Sequence, residues 1–116
     1  MFSRGRNHAR QTGEHLGLNA KGQLIFQSGA QTFTGKANAT RWQWHHAVLV
    51  RDGDTARVYL DGQLQFEAKA NALLPVETLH LGGRNDNESN WEGRLDEAAV
   101  FDRALSATEV KALSAP

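Results

Sequence analysis

The chain has 116 residues, no cysteine, and equal numbers of basic and acidic side chains, 13 of each. That length supports one domain with its own hydrophobic core, spanning residues 1–116. The lack of cysteine excludes disulfides and thiolate metal sites. No apolar run approaches the ~20 residues of a membrane span. The polar start Met1-Phe2-Ser3-Arg4-Gly5-Arg6 lacks the apolar core of a signal peptide.

Charge is uneven along the chain. Residues 1–58 carry eight basic and three acidic side chains, and residues 59–116 carry five and ten. The basic residues are scattered rather than clustered, so a nucleic-acid footprint is not expected.

Residues 1–15 show no clear period and read as a loop or a weak first strand. Leu16-Gly17-Leu18 alternates briefly, and Asn19-Ala20-Lys21-Gly22 is a turn. Gln23 to Gly29 predicts a strand with Leu24 and Phe26 on one face. Gln31 to Thr34 predicts a short strand before a polar loop over 35–40. The strongest strand is predicted from Trp44 to Arg51, where both faces carry apolar residues, so it should lie centrally.

Asp52-Gly53-Asp54 is a turn. In the next hairpin, a plain two-residue loop at Asp61-Gly62 would set Leu60 opposite Gln63 and Val58 opposite Gln65. A left-handed bulge at Gly62 would match apolar residues instead, and a bulged turn is therefore expected. Val76 to Leu81 predicts a strand with Leu79 and Leu81 facing inward. Residues 82–90 form a long polar loop, and Trp91 to Phe101 contains the last strand. Ser106-Ala107-Thr108-Glu109 fits a capping box that opens a short helix through Val110 and Leu113. Many short strands and one terminal helix imply an all-β antiparallel sandwich.

Several motifs occur in a telling order: Trp44 with His46, Tyr59 with Asp61-Gly62, Leu79 with Leu81-Gly82, Gly93 with Asp96-Glu97, and Leu105-Ser106. The ordered set resembles the laminin G-like branch of the concanavalin A-like lectin/glucanase superfamily, over about residues 40–113. The resemblance implies a jelly-roll sandwich, an extracellular or cell-surface setting, and His46 packed inside. Domains of that family usually open with further strands ahead of the segment that Phe2-Ser3-Arg4-Gly5 matches, so the domain is expected to be N-terminally incomplete. Bare sheet edges would then be completed by a second copy or by a partner segment.

Site candidates follow from the loops. Adjacent His45 and His46 on a strand point to opposite faces and cannot chelate one ion together. Asp96 is the candidate metal ligand, because the resemblance implies a structural Ca²⁺ near the last strand. The Asp96-Glu97 pair lacks the alternate spacing of the superfamily's catalytic carboxylates, and no catalytic residue is assigned. Arg84, Asn85, Asp86, Asn87 and Trp91 combine hydrogen-bonding groups with an aromatic ring, the mixture that sugar recognition needs. Trp42 is a second aromatic candidate. The expected function is non-enzymatic binding of carbohydrate or protein through these loops. The alternative is an architectural accessory domain that binds nothing small.

Overall fold

The computed structural model describes residues 1–5, 13–71, 78–84, 87 and 90–116. In chain order the elements are β1 (Phe2–Arg4), β2 (Glu14–Leu18), β3 (Gln23–Ser28), β4 (Gln31–Asn38), β5 (Ala47–Asp52), β6 (Thr55–Leu60), β7 (Gln63–Lys69), β8 (Leu79–Leu81) and α1 (Ala107–Leu113). Among the described residues they build two antiparallel sheets, ordered β4-β3-β2-β1-β8 and β5-β6-β7. The sandwich expected from the sequence is present.

Alternation decides which face is buried. Leu16 pairs with Phe26, and Phe26 with Phe33, so these rings point between the sheets. Ala47, Leu49, Val58 and Leu60 answer from the second sheet, and the core closes around Leu16, Leu24, Phe26, Ala56, Val58, Leu60 and Ala70. Phe33 stacks between Phe26 and Phe66 at 6.4 and 6.2 Å. Phe26 is fully buried, and truncating it to alanine would cost about 3–5 kcal/mol.

The opposite face of the second sheet is covered by α1. Val50 and Tyr59 pack there with Leu105 and Val110. The helix starts as the sequence indicates. Ser106 accepts from the Glu109 amide, and the Glu109 carboxylate accepts from the Ser106 amide. Arg103 grips the same carboxylate at 2.7 Å. These bonds hold the Glu109 carboxyl at about 2, the Arg103 bond being the largest cause.

One charged group sits between the layers. Glu14 on β2 is fully buried, with Arg4 of its own sheet at 2.9 Å and Arg51 of the other sheet also at 2.9 Å. Arg51 also donates to the carbonyls of Ala70 and Asn71 and lies over the Phe26 ring. Thus β5 lies across from β2, with β7 beside β4. The first sheet continues past β5 by β1 and β8. Leu79 and Leu81 share the inward side with Phe2 but remain 44% and 57% exposed.

Four expectations need correction. First, β4 runs on to Asn38 instead of giving way to a loop at residue 35, because its partner β3 continues alongside to Gln23. Second, β5 begins at Ala47 rather than Trp44 and, among the described residues, is an edge strand, not a central one. Third, Asp61 and Gly62 both have positive φ, 50° and 76°, and form a plain two-residue loop with Leu60 opposite Gln63. The extra residue enters deeper, after Tyr59–Leu64, and still sets Val58 opposite Phe66. The apolar matching was legible, but its location was not.

Fourth, Trp91–Phe101 is not a strand. Leu95, Val100 and Phe101 are 44%, 73% and 47% exposed. No described strand pairs with this segment. It also bends locally: Gly93 and Glu97 have positive φ, and Asp96 accepts the Glu97 amide at 2.8 Å.

Candidate functional site

One end of the sandwich gathers three connections: the β2–β3 turn, the β4–β5 loop and the β6–β7 turn. Hydrogen bonds tie them together. The Ala39 amide donates to the Gly22 carbonyl at 2.8 Å, joining the first two. Asp61 joins the second to the third. Its Oδ2 lies 2.8 Å from His45 Nδ1, and its Oδ1 accepts the His46 amide at 2.8 Å. Behind the third, a β-carbon on Gly62 would meet the Ser114 hydroxyl and lie 3.4 Å from the Lys111 Cα.

The β4–β5 loop is held along its length. His45 Nε2 receives the Thr40 amide at 3.0 Å, while Thr40 Oγ1 donates to Gln43 Oε1 at 2.8 Å. Nε2 also lies 3.1 Å from the Thr40 carbonyl, while Nδ1 faces Asp61. His45 is therefore a strut between two loops. For Asp61, partial burial would raise the carboxyl. The His45 bond, the His46 amide and the charges of both imidazoles outweigh it and hold the carboxyl low.

This frame displays indole rings. Trp42 is 100% exposed and Trp44 is 67% exposed. Trp42 also has φ 68°, in the left-handed region that a bulky side chain avoids at a cost of roughly 1–2 kcal/mol. A fully hydrated indole on a strained, fixed backbone contributes nothing to the core. Strain of this kind concentrates where chains contact ligands.

The other candidates stand apart. Asn85 and Asp86 lie outside the described residues. Arg84 is half-buried, Asn87 is exposed with φ 59°, and its amide donates to the Arg84 carbonyl at 3.1 Å. Trp91 is half-buried, its amide bound to the Gly82 carbonyl at 2.7 Å. These residues follow β8, which leaves the first sheet at the same end as the β2–β3 turn, since Leu81 pairs with Phe2 and Phe2 with Leu16, but at the edge opposite β4. Asp96 is exposed and spends one oxygen on the neighbouring amide. Among the described residues, no three histidine or carboxylate side chains converge to hold an ion. The calcium expectation for Asp96 thus rests on its one carboxylate.

Sequence spacing alone missed two arrangements. Lys21 and Lys111 reach the end that carries Trp42, which only the folded turn contacts reveal. Ser3 pairs with both His15 and His80, so two imidazoles flank it on the outer face of the first sheet. No motif could have announced that, since the strands are far apart in the chain.

Comparison with known proteins agrees with this architecture. The family model Laminin_G_3, described as concanavalin A-like lectin/glucanases superfamily, matches residues 2–111. Among solved structures, the chain is similar to an S-layer domain-containing protein from Clostridium thermocellum ATCC 27405, at 25% identity and a TM-score of 0.53. That match covers 92% of this chain and 58% of the other, so this chain spans less than two thirds of the neighbour's length. No curated protein matches the chain.

Proposed function

Because this chain belongs to the concanavalin A-like lectin/glucanases superfamily, as a laminin G-like domain, we propose that it is a non-enzymatic binding module of a surface or secreted protein. It engages carbohydrate or protein through loops at the end of the sandwich. The observation that carries this reading is Trp42, fully exposed with a left-handed backbone on a loop braced by His45 and Asp61. An indole face stacks on the apolar side of a pyranose, and neighbouring amides and guanidinium groups serve its hydroxyls. The S-layer domain neighbour supports a surface setting.

Calcium near Asp96 is a structural aid in this reading and takes no part in chemistry. A glycan array probed with and without EDTA tests both points. The expected result is a defined set of sugar ligands, lost on Trp42→Ala. Dependence of those hits on the metal would assign the ion its role. The S-layer likeness also favours a second reading, an architectural domain with no small ligand. An array that stays silent in both conditions would support that reading over the first.

A further inference from the structure

The outer face of the first sheet carries a polar row that the core does not use. Register places Thr32, Gln27, His15, Ser3 and His80 side by side on β4, β3, β2, β1 and β8. The adjacent row, Phe33, Phe26, Leu16, Phe2 and Leu81, points inward, so alternation sends the polar row outward. It is not bathed in solvent. Ser3 is fully buried and His15 is 5% exposed. The Ser3 hydroxyl donates to the Gly83 carbonyl at 2.8 Å, so the chain beyond β8 comes over this face.

His15 is held from two sides. Its Nδ1 lies 3.3 Å from Gln27 Oε1, an oxygen that only accepts, so Nδ1 carries the proton and Nε2 keeps its lone pair. Its ring also lies against Gly17, where a β-carbon would come within 3.0 Å of Cε1 and 3.1 Å of Nε2. A histidine whose second nitrogen donates to an oxygen in this way has the usual form of a metal ligand. Across β1, His80 Nδ1 is buried and meets no hydrogen-bonding partner. Burying such a nitrogen costs free energy, and a bound ion would satisfy it.

Strands ~4.8 Å apart place the His15 and His80 backbones roughly 10 Å from each other, with the small Ser3 side chain between them. Two imidazoles leaning together span that gap through metal–nitrogen bonds of about 2 Å. The row contains neither carboxylate nor thiolate, so it suits an ion that favours imidazole over Ca²⁺ or Mg²⁺. We propose that His15 and His80 together bind one divalent transition-metal ion, Zn²⁺ or Cu²⁺, above Ser3. Among the described residues no third histidine or carboxylate joins them, so water completes the coordination. The ion ties β8, an edge strand of three residues, to β2 across β1. This site is separate from Asp96 and from the loop that carries Trp42.

Titration calorimetry of the full chain, untagged and stripped with chelator, tests this with Zn²⁺, Cu²⁺ and Ca²⁺ near neutral pH. One equivalent of Zn²⁺ or Cu²⁺ should bind, and Ca²⁺ should not. His80→Ala and His15→Gln should each weaken binding roughly tenfold or more. Affinity should also fall roughly tenfold or more by about pH 5.5, as both imidazoles protonate. His46→Gln removes an imidazole that also has a buried nitrogen, beside the second sheet, and it should leave affinity unchanged. Two readouts need no variant. Bound Cu²⁺ should show couplings to two imidazoles in electron paramagnetic resonance, and Zn²⁺ should slow hydrogen exchange of the β8 amides.

Absence of Zn²⁺ and Cu²⁺ binding up to about 1 mM would overturn this inference. So would equal losses from His46→Gln and His80→Ala, which would mark scattered surface binding. Equal uptake of Ca²⁺ would overturn it too, by pointing to oxygen ligands. None of these outcomes bears on sugar binding by Trp42, so failure here leaves the binding-module reading intact.

Discussion

Residues 39–46 and residues 91–103 both lack helix and strand, and both place large apolar side chains in water. They are held in different ways. In the first stretch, Thr40, Gln43 and His45 interlock, and Asp61 fastens the group to the β6–β7 turn. In the second, the Trp91 amide holds the Gly82 carbonyl at one end and Arg103 holds Glu109 at the other, while between them, among the described residues, Asp96 bonds the amide beside it. Exposure alone therefore does not mark a site. What separates the two is a backbone fixed by bonds that reach across the sequence, which presents a ring without losing order on contact.

The sharpest way to break this contrast is to remove the fastening. Asp61→Ala deletes the acceptor of both His45 and the His46 amide, and it should cost about 1–3 kcal/mol in urea denaturation. Asp96→Ala removes only a local acceptor on an exposed segment and should stay within about 0.5 kcal/mol. Equal costs would mean that the two stretches are held alike.

A smaller effect probes the strain. Glycine adopts φ 68° freely, so Trp42→Gly should lose ligand binding while keeping or raising stability, by up to ~1 kcal/mol. Trp42→Ala keeps the strained conformation and should show no such gain. A clear loss of stability in Trp42→Gly would mean that the indole packs in solution.

The mildest test is acid. Glu109 has its carboxyl lowered from 4.5 to about 2, so its contribution is present above the unfolded value and lost as pH falls toward about 2. Asp61 is lowered as well and follows the same sign. Amide signals of α1 and of the 40–46 loop should therefore broaden together as pH drops below 4.5, by NMR. Those of 94–101 should already be exchanging fast at neutral pH.

Much of the sandwich was legible because its signals are local. The alternation of Leu24 and Phe26, the Gly-containing turns and the Ser106–Glu109 capping box each specify their own geometry. Other features depend on what lies alongside. Trp91–Phe101 has the composition of a strand, but a strand needs a partner edge, and sequence cannot supply one. The same holds for the site. Trp42 drew attention as an aromatic ring in a polar stretch, yet its backbone strain and the brace from Asp61, sixteen residues beyond His45, belong to the fold. Lys21 and Lys111 gave no signal at all until the turns came together.

The carboxylate of Glu14 has a mechanical consequence. Apolar faces alone tolerate slippage, since one aliphatic side chain substitutes for another with modest loss. A carboxylate shared by Arg4 and Arg51 does not, because sliding one sheet over the other would part the fully buried Glu14 from the Arg51 guanidinium. The layers are keyed to each other at this point, as a pin fixes two plates, so pulling on either sheet transmits load directly to its partner.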